Sequence, residues 1–183
     1  VRMFVKLVNN GAELPKNPTT KFKDANNSWY SDEINFAANK GFIKGYSDGT
    51  FRPNQAITRA EFAQMIAVFV KDGYPGTGEL KDVKGHWASD AINELYGNKN
   101  IKGYDDGTFK PDQKLTRAEA VTILNSVFGR NTKAASFENL NVSGLKEFSD
   151  VAKSHWAYYE ILDASNAHIA VKSESSDGLS IWQ

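Results

Sequence analysis

Arg59 and Arg117 each stand second in a Thr-Arg-Ala-Glu run, Thr58 to Glu61 and Thr116 to Glu119. Thr with Glu three residues later has the form of a capping box. The Thr hydroxyl accepts from the Glu backbone N–H, and the Glu carboxylate reaches back to the Thr N–H. Each Arg would then be the first helical residue, where unpaired N–H groups carry a partial positive charge. A guanidinium adds a planar, bidentate fork, and the combination suits a carboxylate or a phosphate. Capping accounts for Thr and Glu, and Ala is a good helix former. It does not call for Arg, because a cation at a helix N-terminus is electrostatically disfavoured. From these residues alone, a plain helix start and an anion site both stand open.

Other residues could line a site. Trp29, Trp87 and Trp156 recur at matching places. Core packing is the first expectation for each, while a half-exposed ring near an Arg would offer a sugar-stacking face. Tyr46 and Tyr104 each follow a glycine, Gly45 and Gly103, and fit either a cleft wall or a hydrogen-bonded surface. Asp24 and Asp82 precede Trp by five residues, and capping the first helix is expected ahead of accepting from a ligand hydroxyl. Asp48-Gly49 and Asp105-Asp106-Gly107 lack the alternating acids and closing Glu of a calcium loop. His86 and His155 adjoin Trp, but Ser28 fills that place in the other copy, and no second His or acidic cluster stands at zinc-ligand spacing. There is no Ser-His-Asp context, phosphate-cradling Gly loop or distinctive carboxylate pair. The expectation is binding without turnover: no catalytic residue, no metal and no cofactor.

The elements that must hold these residues repeat. Phe22 to Val70 aligns without a gap on Leu80 to Phe128, an offset of 58, with 21 of 49 positions identical. Phe148 to Val151 with His155-Trp156-Ala157 repeats Leu80 to Val83 with His86-Trp87-Ala88, and the likeness fades after His168. Val1 to Val8 matches Ala63 to Val70. Each unit reads as a head and a tail. The head is a short helix entered at the Trp, with Trp87, Ala88, Ala91, Ile92 and Leu95 at helical spacing. An Asp-Gly turn follows, and Pro53 or Pro111 keeps the next segment extended. The tail helix opens at Thr58 or Thr116 and carries an apolar face through Ala60, Ala63, Ile66 (or Met65), Phe69 and Val70.

The expected organisation is a closing helix of a truncated first unit at 1–12, complete units at 20–72 and 78–130, a linker at 131–147, and a partial third head with a C-terminal tail at 148–183. All of it is expected to form one structural domain. The polar segment 71–79 reads as another linker, and 172–178 as a mobile tail from which Ile181-Trp182 could dock back. Val1 to Val8 looks like the middle of a helix, so the chain reads as a piece of a longer protein. The 183 residues balance 22 Lys and Arg against 22 Asp and Glu, which offers no broad phosphate-tracking surface, and no nucleic-acid partner is expected. Zero Cys excludes disulfide scaffolds and thiolate chemistry. The apolar runs are too short for a membrane span.

The Phe-x-Asp…Trp head, the Gly-Tyr-x-Asp-Gly-Thr-Phe-x-Pro turn and the Thr-Arg-Ala-Glu start together resemble S-layer homology domains. Phe22-Lys23-Asp24…Trp29, Gly45 to Pro53 and Thr58 to Glu61 carry the likeness, then Leu80-Lys81-Asp82…Trp87, Gly103 to Pro111 and Thr116 to Glu119. The resemblance implies an all-α fold, three tandem helix-loop-helix units in a pseudo-threefold prism around a central three-helix bundle. It implies a secreted, non-covalent anchor in the wall or surface layer of a Gram-positive bacterium. The implied ligand is secondary cell-wall polysaccharide, often ending in a pyruvylated amino sugar, held in grooves between repeats. Arg59 and Arg117 would pair with the ketal carboxylate beside Thr58 and Thr116. Trp29, Trp87, Asp24, Asp82, Gly45, Gly103, Tyr46 and Tyr104 would form the groove walls. The alternative is a protein–protein or surface-layer self-assembly module. The third head, Phe148 to His168, lacks both the Gly-Tyr-x-Asp-Gly turn and a following Thr-Arg-Ala-Glu, which puts a third groove in doubt.

Overall fold

The repeated turn is closed by a carboxylate from the head that precedes it. In the second repeat, Asp82 accepts from the backbone N–H groups of Phe109 and Lys110, both at 2.8 Å. Asp24 does the same for Phe51 and Arg52, both at 2.7 Å. Arg52 and Lys110 have φ of 57° and 55°, so the carboxylate holds a non-glycine residue in the left-handed region. Inside the loop, Asp106 accepts from the Thr108 N–H at 2.9 Å and hydroxyl at 2.6 Å, and Asp48 and Thr50 repeat both distances. Lys81 and Lys23 add ammonium contacts to the carbonyls of Asp106 and Asp48 at 2.8 and 3.0 Å. Asp24 and Asp82 therefore cap no helix; their donors lie 27 and 28 residues away, out of reach of a local reading.

The computed structural model describes residues 1–70, 80–138, 140, 143–174 and 178–183. Segment 71–79, read above as a linker, lies outside the described residues, as do parts of the 131–147 and 172–178 segments. The described elements are α1 (Arg2–Val8), α2 (Ser31–Asn39), α3 (Arg59–Ile66), α4 (Ser89–Gly97), α5 (Arg117–Val127), α6 (Tyr158–Ser165), β1 (Ala170–Lys172) and β2 (Ser180–Trp182), with short 3-10 turns at Ala67–Phe69 and Ala134–Phe137. Among them, no helix is long and apolar enough to cross a membrane.

The expected all-α prism around a central three-helix bundle is corrected here. The helices are short, 7 to 11 residues, and the chain between them is mostly turn and loop. Among the described residues the third repeat brings no tail helix. The chain beyond α6 instead forms an antiparallel pair, β1 with β2, in register Ala170 to Trp182 and Lys172 to Ser180. The described chain divides into two compact units, Val1–Ile57 and Thr58–Gln183, so α1 and α2 belong to one while α3 to α6 belong to the other.

In the first unit, Phe4 and Val5 of α1 are buried with Ile34 and Ala37 of α2, and Phe4 meets Phe42 edge-on at 5.4 Å. Phe22, Ala25 and Ile34 form a small cluster there. In the second unit, α3 packs on α4 and α5, and α5 on α6. Of the expected tail stripe, Ala60, Ala63, Met65 and Ile66 are buried, while Phe69 and Val70 are half-buried and lie beyond α3, which ends at Ile66 in a 3-10 turn; Ala88, Ala91, Ile92 and Leu95 of the head are buried. The segment expected to be linker holds buried Phe137, which packs with Tyr158, Leu162 and Trp182. Trp182 does dock back onto the body.

Gly103 fills a steric role. A Cβ there would come within 2.6 Å of Leu80 Cδ2 and 3.0 Å of the Thr108 carbonyl. Gly45 meets Phe22 and Thr50 in the same way. Gly103→Ala should therefore destabilise the second unit by about 1–3 kcal/mol, read as a lower midpoint in urea unfolding. An unchanged midpoint would show that Leu80 can move aside.

Candidate ligand-binding site

Both Thr-Arg-Ala-Glu runs fold as complete capping boxes. Thr58 Oγ1 accepts from the Glu61 N–H at 3.1 Å, and Glu61 accepts from the Thr58 N–H at 2.8 Å. Thr116 and Glu119 repeat the exchange at 3.2 and 2.8 Å, and the Thr116 hydroxyl also lies 2.9 Å from Glu119 Oε2. The two Thr hydroxyls are thus engaged in closing their own helices.

The two arginines differ sharply despite identical motifs. Arg59 is buried, with 6% of its surface exposed. Its Nε donates to the Phe109 carbonyl at 2.8 Å, Nη1 to Glu119 at 2.9 Å and Nη2 to the Lys102 carbonyl at 3.3 Å. The guanidinium lies 4.4 Å from the Phe109 ring centroid and 5.0 Å from that of Tyr104. The first N–H groups of α3 are closed too, since Arg59 N donates to Gln113 O and Ala60 N to Pro111 O, both at 2.9 Å. Residues 102–113 thus seal the start of α3.

Arg117 is exposed. Among the described residues its guanidinium has no hydrogen-bond or ion-pair partner, and neither its N–H nor that of Ala118 has an acceptor. The start of α5 therefore presents a free fork and two free N–H groups on the positive end of an 11-residue helix.

Tyr104 belongs to the Arg59 cluster. Its hydroxyl donates to Glu119 at 3.4 Å and accepts from Gln113 Nε2 at 3.0 Å, while Lys110 Nζ lies 4.1 Å from its ring centroid. Tyr46, in the first unit, accepts from Gln55 at 3.2 Å beneath the Arg52 guanidinium. Asp24, Asp82, Gly45 and Gly103 serve the turns described above. The tryptophans run against the core-packing expectation: Trp29, Trp87 and Trp156 are 72%, 62% and 65% exposed. Ala88, Ala91, Ile92 and Leu95 fill the buried stripe, and Trp87, one residue before it, falls outside. His86 and His155 lie 5.4 and 5.6 Å from the neighbouring Trp rings, each fixed because its Nδ1 accepts from an N–H two residues on. In the first unit Arg2 lies 5.2 Å over Trp29 and pairs with Glu33 at 3.1 Å.

Sequence reasoning missed the partners of Arg59. The signal was present: Glu119 is the counterpart, one repeat later, of the capping Glu61. Burial pushes the Glu119 carboxyl up, but hydrogen bonds from Thr116, the Arg59 charge and the Tyr104 hydroxyl outweigh it, and the net displacement is downward. Asp106 is held low by Thr108, as is Asp48 by Thr50 and then Arg52.

Comparison with known proteins places this geometry in a family. Residues 21–63 and 79–121 match the S-layer homology domain, so the chain carries two such domains in tandem. It is 37% identical over 176 residues to a cellulosome-anchoring protein of Acetivibrio thermocellus, a match covering 91% of this chain and 37% of that one. It is 35% identical over 179 residues to cell surface glycoprotein 1 of the same organism, covering 91% of this chain and 7% of that one. An uncharacterized cell wall amidase of Bacillus anthracis is 36% identical over 118 residues, 62% of this chain and 22% of the amidase. The chain thus spans well under half of these relatives.

Arg59→Ala should cost the second unit about 3 kcal/mol, because it leaves Glu119, the buried Phe109 carbonyl and the part-buried Lys102 carbonyl without their donor. Arg117→Ala should stay within about 0.5 kcal/mol of the parent. Urea unfolding of both variants separates the roles, and equal effects would contradict the assignment.

Glu119 also sets a pH response. With a folded carboxyl below its unfolded value, its contribution is complete above the unfolded range, about 4.3, and is lost as pH falls through the folded value. The parent should lose more stability than Glu119→Gln between pH 7 and pH 3. Parallel losses would show that Glu119 does not carry the effect.

Proposed function

We propose that this chain is a cell-wall anchoring module, secreted and working at the wall or surface layer of a Gram-positive bacterium, and that it holds secondary cell-wall polysaccharide through an acidic terminal sugar. The observation that carries the reading is the contrast between the two helix starts. That of α3 is closed by its own protein, while that of α5 offers the unpaired Arg117 fork with the N–H groups of Arg117 and Ala118. A ketal carboxylate on an amino sugar, such as a pyruvate ketal, would accept from all three. The tandem domains and the likeness to a cellulosome-anchoring protein and a cell surface glycoprotein support the anchoring role.

In this reading Arg117 binds the acid and Arg59 serves the scaffold. The exposed Trp87 and Trp156 rings supply apolar faces for sugar, as Trp29 does in the first unit. Asp24, Asp82, Gly45, Gly103, Tyr46 and Tyr104 shape the turns, and Thr58 and Thr116 cap the helices. The module holds its ligand and performs no turnover. Charge-assisted hydrogen bonds contribute on the order of 1.5–3 kcal/mol each, so a single site is modest, and repeated engagement of one polymer raises the effective concentration.

The test is titration with purified wall polysaccharide before and after chemical removal of its acidic ketals. Parent binding should fall on ketal removal. Arg117→Ala should weaken binding about tenfold or more, and Arg117→Lys should restore part of it because the fork is lost. Undiminished binding by Arg117→Ala would refute the clamp. Self-association that persists without polysaccharide in sedimentation would favour surface-layer self-assembly instead.

A further inference from the structure

The Glu119 carboxylate stands at the base of the open α5 start, and its acceptor positions are taken from inside the second unit. Oε1 receives Arg59 Nη1 at 2.9 Å and the Tyr104 hydroxyl at 3.4 Å. Oε2 receives the Thr116 N–H at 2.8 Å and the Thr116 hydroxyl at 2.9 Å. A carboxylate has about four acceptor positions, and these donors use them. Arg117 is not among the donors. It lies two residues from Glu119, a spacing at which side chains on a helix do not face each other.

A carboxylate in the first turn of a helix is the ordinary partner of the positive charge at that end. It is therefore also the internal rival of an acidic ligand approaching the same end. Oε2 of Glu119 accepts from Thr116, the residue immediately before Arg117, so the negative charge lies beside the free N–H groups of Arg117 and Ala118. The Glu119 side chain is 19% exposed and that of Arg59 6%, so salt and water screen the pair weakly. Carbonyls of Phe109 and Lys102 hold Nε and Nη2 of Arg59, which fixes its Nη1 on the carboxylate.

We propose that Arg59 is a positioning residue for the α5 anion site: its buried charge cancels and holds the Glu119 carboxylate, so that the Arg117 fork and the first N–H groups of α5 stay open to an acidic ligand. The proposal rests on the reading of Arg117 as the acid-binding residue. Arg59 itself does not touch the ligand. It acts through Glu119, so the ion pair inside one repeat boundary sets how strongly the next helix start attracts an anion.

Two measurements on the 183-residue chain test this. The first needs no ligand. Hydroxide-catalysed exchange of a free N–H follows the local potential, so the amides of Arg117 and Ala118 report on it. Glu119→Gln leaves the Arg59 charge uncancelled, and exchange at both should quicken about threefold. Arg59→Met leaves the carboxylate uncancelled and should slow it by about the same factor, and Arg59→Met combined with Glu119→Gln should restore the parent rate. The second is titration with a pyruvylated amino sugar. Affinity should follow the same order: tighter in Glu119→Gln, about threefold to tenfold weaker in Arg59→Met, and restored in the double variant. Rates and affinity unchanged in Glu119→Gln, which keeps Arg59, overturn the proposal even if Arg59→Met fails to fold. So does a double variant as weak as Arg59→Met, which would mark Arg59 as packing alone. Undiminished affinity in Arg117→Ala is the separate failure of the acid-binding reading, and exchange rates in the expected order would still uphold the cancellation of Glu119 by Arg59.

Discussion

The second unit depends on one buried cation. Arg59 takes a position that a helix start electrostatically disfavours and makes it tolerable by surrounding the charge with oxygen and π electrons. The Glu119 carboxylate, two backbone carbonyls and two aromatic rings converge on it. A guanidinium so enclosed cannot be removed without stranding its partners, and it ties the tail of one repeat to the head, turn and tail start of the next. The ion pair also joins the two capping boxes, because Glu119 caps α5 and receives Arg59 with the same carboxylate.

That clasp needs a properly built turn beneath it, which explains the cost the chain bears there. Arg59 reaches the carbonyls of Lys102 and Phe109, so residues 102–109 must hold a fixed path. Asp82 fixes its end by holding Lys110 in a left-handed conformation, and Gly103 lets Leu80 lie against the backbone. Head, turn and tail are therefore parts of a single device. The head that follows, Phe148 to His168, has no such turn, and Arg117 finds no described partner. One motif thus gives scaffold where a complete repeat follows, and an exposed guanidinium without a partner among the described residues where it does not.

Much of this was legible beforehand. The capping boxes follow from Thr and Glu at a fixed spacing, and the buried stripes of α3 and α4 follow from helical periodicity, because both are local rules. The exposure of Trp87 was not legible. A residue beside the stripe shares its apolar type, and only the helix start at Ser89 decides which residues face inward. The roles of Asp24 and Asp82 were hidden by distance along the chain, as was the pairing of Arg59 with Glu119. The bundle expectation failed on helix length and on the hairpin. Nothing in Ala170 to Trp182 announces a strand pair until Trp182 is seen to share Asp163 with Thr132 and His168.

Arg59 and Arg117 stand in identical motifs, one enclosed by its own protein and the other exposed. The most direct measurement is an NMR titration that follows the side-chain Nε–H resonances of Arg59 and Arg117 while a pyruvylated amino sugar is added. A saturable shift is expected at Arg117, with Arg59 slow to exchange and unmoved. A shift at Arg59 with Arg117 silent would contradict this.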